Sequence, residues 1–407
     1  MNIILFDGTS RESLFPMTLT RPVAELRLGI LTIREKWQFY LQSHATTATV
    51  PYLQTKFSIH LSDDNLWIDG ALIPSSYLLQ HITSLEPGEA LKYRDRIIAF
   101  RSSGTSIPDL YSSDGKWSTE NVKTLTNSVK IFPENEELIF TDRLTDLFSY
   151  NEQEIRQDYL LLAPQAKSFS IAKNNLLIGP GKNLYVASQV IMEGAILNCK
   201  EGPIYIGKGA RIGEGSIITG PVAIGEYAVV KPGARICGGS TIGPYCKVGG
   251  ENNNVVFHSF SNKAHDGYLG NAVIGSWCNI GAGSNFSNLQ NSYQDIKQWH
   301  YPSGTFVNTN LKFCGVTMGD YTTCSINSMF NTGTVLGVGC NLFGPDFHRK
   351  FVPSFSYGGR NSGYTVNALP KLLETASVMH ERRGKSFGHA DRILIEFLFD
   401  NKNILHL

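Results

Sequence analysis

Neither charge is in excess in this chain. Lys and Arg number 36 against 35 Asp and Glu, a formal net charge of +1. That balance excludes a global basic field for nucleic acid or an anionic membrane and leaves anion binding to local clusters. Nowhere do about twenty apolar residues run together, the length a membrane-crossing helix requires. The opening "MNIILFDGTSRESL" has a short apolar run, Asp7 close behind it and no basic lead, which is unlike a secretory signal. The expectation is a soluble, cytoplasmic protein. Cysteine occurs 7 times without a CxxC pair or a regular framework, so free thiols are expected, with neither cross-links nor a cysteine metal site. The 407 residues, 42% of them hydrophobic, give room for two or more domains with separate cores.

What is present is a rhythm. From Ile204 a six-residue period carries Ile206, Ile212, Ile218, Ile224, Val230, Ile236, Ile242 and Val248 in one phase. Small residues such as Ala210, Ser216, Ala228 and Ala234 stand two before a rung, and glycine often follows it. A hexapeptide period is the mark of a parallel β-helix whose short strands stack coil upon coil, and the left-handed triangular form is expected here. Branched aliphatics fill its interior, and glycine permits sharp turns. An earlier phase, Ile178, Leu184, Val190 and Ile196, reads as the first coils. The rhythm breaks at "GGENNNVVFHSFSNKAHDG", resumes at Ile274, Ile280 and Phe286, breaks at "NLQNSYQDIKQWHYPSG", and returns through Met318, Cys324, Phe330, Leu336 and Leu342. Breaks in a solenoid usually emerge as side loops that bear function. Cys246, Cys278 and Cys340 fall two before a rung and Cys324 on one, so they read as small core residues.

Before Ile178 aromatic-rich runs such as "IIAFRS" alternate with segments of helical character. The reading is an α/β, Rossmann-like domain over residues 1–165, a β-helix over 166–364 and a short helical tail over 365–407, where "LPKLLETASVMHERR" and "HADRILIEFLFD" show apolar spacing of three and four.

The segment "KAHDGYLGNAVIGSWCNIGAGSNFSN" resembles the acetyltransferase part of the bifunctional N-acetylglucosamine-1-phosphate uridylyltransferase and glucosamine-1-phosphate acetyltransferase family. The spacing from His265 through Tyr268 and Asn279 to Asn288 is kept without gaps. The resemblance implies that His265 is the general base toward an amine attacking acetyl-CoA, with Tyr268, Asn279 and Asn288 holding sugar phosphate and acetyl group. Lys231, in "YAVVKPGAR", is implied as a phosphate ligand. An imidazole titrating near neutrality suits such proton transfer. The alternative is that His265 is a solvated loop residue beside Asp266 and Gly267. The pattern departs from the family in three ways: a second basic residue near Gly249 is absent, the segment between Gly249 and His265 is longer and contains Glu251, and Leu289 stands where an aromatic is expected. Lys263 either replaces the missing charge or is an ordinary exposed lysine.

The front, "ILFDGTSRESLFPMTLTRPV", resembles sugar-1-phosphate nucleotidyltransferases. It places Gly8, Thr9 and Arg11 on a phosphate-cradling turn, while Val23 stands where the family has a lysine. Arg21 and Arg27 are candidates to compensate. Arg34 and Lys36 either join them or lie on the wet side of an amphipathic helix. Asp69, in "NLWIDGALIP", is the candidate Mg²⁺ ligand of the resemblance, and Asp158 is a second carboxylate without an assigned role. Through "LTRPVAELRLGILTIREKW" and "SNKAHDG" the chain resembles a Bacteroidetes-type variant group of sugar nucleotidyltransferases. The resemblance implies a homotrimer whose partners are a nucleoside triphosphate, a sugar phosphate and acyl-CoA, with no nucleic acid or membrane partner. Three functions stay open: nucleotidyl transfer joined to N-acyl transfer, acyl transfer alone with a degenerate front, and a non-catalytic scaffold that binds a sugar nucleotide.

Overall fold

The computed structural model describes residues 1–105, 110–111, 117–118, 121–122, 124, 126–165, 167–403 and 407. The chain forms two compact units, one of Met1–Leu14, Thr20–Leu26 and Leu31–Arg143, the other of Phe15–Leu19, Arg27–Ile30 and Leu144–Leu407.

The first unit is built on six strands, β1 (Asn2–Phe6), β2 (Ala45–Ala48), β3 (Asp64–Asp69), β4 (Glu89–Tyr93), β5 (Arg96–Ser103) and β6 (Ser128–Ile131). Their order is β2-β1-β3-β5-β4-β6. β1 runs parallel to β2 and β3, and β5 runs antiparallel to β3 and β4. The unbroken apolar run of β1, Ile3 to Phe6, is fully buried, as a strand covered on both faces requires. Trp67 and Phe100 stack at 5.3 Å in the core. The register pairs Phe6 with Asp69, so the carboxyl ends of β1 and β3 bring the turn after Phe6 beside Asp69. That is where open α/β sheets place ligands. Helix Ile33–Leu41 begins at a capping box between Thr32 and Glu35. The wet-side expectation fails at Lys36, which is buried with Ile33 and Trp37: the spacing i, i+3, i+4 puts all three on one helix face. Arg34 pairs with Glu25.

The second unit is a parallel β-solenoid with two tail helices, Leu369–Glu381 and His389–Asp400. Each coil contributes short strands to three faces, and each strand pairs in parallel with its counterpart one coil on: Ile206 with Ile224, Ile212 with Val230, Ile218 with Ile236. Every rung from Ile206 to Val248 is buried, and the rungs after each break, Ile274 to Phe286 and Met318 to Leu342, are buried too. The four cysteines assigned to the core are buried there.

Two expectations need correction. In the first coils the inward residues are Leu177, Val186, Met192 and Leu197, which align with Leu197, Ile206, Ile212 and Ile218. Of the phase Ile178, Leu184, Val190 and Ile196, all part-buried, Leu184 and Val190 do pack against the core, whereas Ile178 and Ile196 stand beside the inward Leu177 and Leu197. Apolar residues stand on both sides of these strands, so hydrophobicity alone does not reveal which side faces in. The first break is also not a side loop. Glu251–Phe257 is a strand in the stack, paired with the coils on either side, and it turns a corner at Asn254 with φ 51°. The second break does leave the stack. It forms an antiparallel hairpin, Lys297–His300 with Thr305–Asn308, and its neck closes where the Cys314 amide donates to the Asn288 carbonyl at 2.8 Å.

Aromatic residues at one corner explain where the tail docks. Tyr227, Tyr245, Phe260 and Trp277 all adopt positive φ and stack in succession at 5.1, 4.9 and 4.2 Å. His380 of the first tail helix continues the column, 3.8 Å from the Trp277 ring, and shares a 3.1 Å hydrogen bond with the Tyr321 hydroxyl. Burying Trp277 and His380 fixes the helix end over one face of the solenoid.

Candidate active site

Strand alternation decides what faces the tail helix. On this face Met192, Ile212, Val230, Val248 and Lys263 point inward in register. Their neighbours Arg211, Val229, Lys247, Asn262, Asn279 and Thr323 point outward. Lys247, Asn262, Asn279 and Thr323 floor a cavity of about 690 Å³. Ala264 and His265 border it at one corner, Phe260 and Trp277 at the other, and Val378, Met379, Arg382 and Arg383 of the tail supply a wall. Of the residues assigned from sequence, the structure brings His265, Lys231 and Asn279 together in this cavity. His265 is exposed at the corner turn.

The cavity is cationic. Lys231, Lys247, Arg382 and Arg383 line it with His265, and no lining residue is acidic. Burial, followed by the charges of Arg383, Lys231 and Arg382, holds the Lys247 ammonium below its usual range. Burial, with the charge of Arg382, lowers Arg383. Cations crowded in this way gain from any anion that enters. The Arg383 guanidinium donates to the Asn262 Oδ1 at 2.5 Å, and the Asn262 amide donates to the Asn279 Oδ1 at 3.3 Å, so the polar floor is linked to the tail. Lys247, Asn262, Arg382 and Arg383 were missed in the sequence. The outward position of Lys247 beside a rung was legible, but the return of the "HERR" end of the tail to this face was not.

Lys263 is not a pocket cation. It stands at an inward position after Val248 and is 1% exposed. Its ammonium donates to the Gly249 carbonyl at 3.1 Å and the His265 carbonyl at 3.0 Å, and burial pushes it down to about 8. It acts as a tie beneath the His265 turn. Tyr268 and Asn288 lie outside the cavity lining. The Asn288 amide donates to the Tyr268 hydroxyl at 2.9 Å and to Asn271 at 2.8 Å, on the strand that pairs Tyr268 with Glu251. Burial raises the Tyr268 hydroxyl.

In the first unit Gly8 and Thr9 follow β1. A Cβ on Gly8 would come 2.7 Å from the Asp69 Oδ2, so only glycine fits the turn there. Arg11 donates to the Tyr52 hydroxyl at 2.7 Å and lies 3.5 Å from Asp7. Asp7 accepts from the Val23 amide at 2.7 Å and from Thr49, and burial raises it to about 6. The position where the family has a lysine thus supplies a backbone amide to Asp7. Arg21 is buried in this unit. Asp69 is 1% exposed and accepts from the Ala71 amide at 2.9 Å and from Arg96 at 2.6 Å. Arg96 also donates to Asp142 and Ser10, each at 2.7 Å. An Asp69 so occupied does not fit the Mg²⁺ role expected of it. Among the described residues no group of three or more His, Cys, Asp or Glu could hold a metal ion.

Arg27 and Asp158 belong to the second unit. The Arg27 guanidinium donates to the Ile30 carbonyl. Asp158 accepts from the Ile30 amide at 2.8 Å, and Asn151 from the Gly29 amide at 2.7 Å. Both hold backbone, which gives Asp158 a structural role. Among the described residues no helix is long and apolar enough to cross a membrane.

Residues 3–167 match the family described as sugar nucleotidyl transferase. A comparison with curated proteins gives no match. Solved structures similar to the chain include the polySia-specific acetyltransferase NeuO, at 12% identity over 52% of this chain and 94% of that one, TM-score 0.29. Another is a point mutant of AntD, an N-acyltransferase from Bacillus cereus in complex with dTDP and coenzyme A, at 14% identity over 53% and 100%, TM-score 0.23. A third is the Francisella novicida UDP-N-acetylglucosamine acyltransferase, at 14% identity over 56% and 87%, TM-score 0.22. Likenesses this slight carry no argument about chemistry.

Proposed function

We propose that the solenoid cavity transfers an acyl group from a thioester such as acetyl-CoA to the amine of a phosphorylated amino sugar. The observation that carries this reading is the gathering of His265 with Lys231, Lys247, Arg382 and Arg383 around a cavity with no acidic lining residue. The cations neutralise the phosphates of both substrates. The amine nitrogen attacks the thioester carbonyl carbon, a C–N bond forms as the C–S bond breaks, and His265 takes the amine proton as the thiolate leaves. The imidazole is exposed at a corner of a stiff scaffold, which favours a fixed approach. Asn279 and Asn262 offer hydrogen bonds to sugar hydroxyls. Turnover of acetyl-CoA with glucosamine 1-phosphate, read as released thiol, tests the reading; no thiol release with any hexosamine phosphate would count against it.

The match of residues 3–167 favours a second reading for the first unit, transfer of a nucleotidyl group from a nucleoside triphosphate to a sugar 1-phosphate. Release of pyrophosphate from such a mixture tests it. A homotrimer is proposed by resemblance, and sedimentation velocity at three chain masses is the expected result.

A further inference from the structure

We infer that Arg96 is the resident counter-cation of Asp69 and Asp142, and that the first unit therefore takes up no divalent metal at the carboxyl ends of β1 and β3. Arg96 places one N–H on each of three acceptors: Nε on Asp69 at 2.6 Å, Nη1 on Asp142 at 2.7 Å and Nη2 on the Ser10 hydroxyl at 2.7 Å. Ser10 in turn donates to Asp142. The guanidinium carbon lies over the Phe140 ring, 4.2 Å from its centroid.

A positive charge shared between two carboxylates is what a divalent ion would supply, and here a side chain supplies it. Magnesium demands oxygen ligands at about 2.0–2.1 Å in an octahedral shell that usually includes several waters. Asp69 cannot offer that shell. One of its oxygens is bound to Arg96 and the other to the Ala71 amide at 2.9 Å. For metal to enter, Arg96 must leave three hydrogen bonds, two of them to carboxylates and so of the strong, charge-assisted kind. Arginine does not lose its proton in proteins, so raising the pH does not release it. Any phosphorylated ligand of this unit is bound without a metal bridge at Asp69. The inference is independent of the acyl-transfer reading, which concerns the second unit.

The test is titration of the full-length protein with Mn²⁺, free ion being read from its EPR signal, for wild type, D142N, R96M and R96K. The expected result is no saturable binding by wild type or R96K below about 1 mM, the range of weak carboxylate sites, and at least tenfold tighter binding by R96M. Saturable Mn²⁺ binding by wild type that D142N removes would overturn the inference, as would a folded R96M that binds no better than wild type. Circular dichroism reports folding. If R96M does not fold, the comparison of wild type with D142N, whose altered side chain is half exposed, decides the matter.

Discussion

Two sites, one in each unit, handle positive charge in opposite ways. In the first, Arg11 faces Asp7 and Arg96 bridges Asp69 and Asp142. In the second, Lys231, Lys247, Arg382 and Arg383 surround a cavity that no acidic side chain lines. A compensated cation stabilises its fold and has little left for a ligand. An uncompensated cluster is held in place by packing and gains when an anion arrives. The difference separates structural charge from functional charge, and substitution can test it at each site.

The largest effect is expected at His265. H265A should lower acyl transfer by about 10²–10⁴ while leaving the melting temperature and calorimetric binding of coenzyme A close to wild type; parallel loss of binding and turnover would break the assignment of a base. Next, R96A should destabilise the first unit by about 3–5 kcal/mol in chemical denaturation, because it leaves the buried Asp69 charge unpaired. Unchanged stability would show that the pair is not structural.

Lys263 sharpens the comparison as a buried cation whose hydrogen bonds go to carbonyl groups. Its ammonium falls to about 8 in the fold from 10.5 unfolded. Between these values the unfolded chain binds more protons, so stability should rise as pH increases from 8 to 10.5, by roughly 3 kcal/mol. The cost is fully present below pH 8. K263M should lack this rise, and denaturation midpoints across the range check it. The smallest effect on the fold is expected from R383A. It should weaken binding of a phosphorylated ligand by about tenfold, the value of a charge-assisted hydrogen bond, without lowering the melting temperature, since Arg382 loses a repelling neighbour. A loss of stability in R383A would place the tail arginines with the compensated cations.

Much of the solenoid was legible because its period is short and its interior apolar. Once Ile206 to Val248 hold one phase, each next rung follows from alternation. The same logic failed in the first coils, where Leu177 and Leu197 face in although Ile178 and Ile196 looked equivalent. It failed again at "GGENNN", where polar composition suggested a loop and the backbone kept to the stack. Of the site, His265, Lys231 and Asn279 were found in the sequence and share the cavity, whereas Tyr268 and Asn288 bind each other elsewhere. Lys263 shows the limit most clearly. A lysine at that spacing reads as a surface charge, and only the shortened coil between Val248 and Lys263 turns it inward.

By itself the sequence determined the parallel coil, the buried rungs and the tail helices, because periodic burial of apolar side chains is a local property repeated along the chain. The tertiary structure alone decided that Arg382 and Arg383 join His265 and that Arg96 lies on Asp69. Residues far apart in the chain meet through strand register and helix docking, and the charge they then share depends on distances that no local pattern encodes.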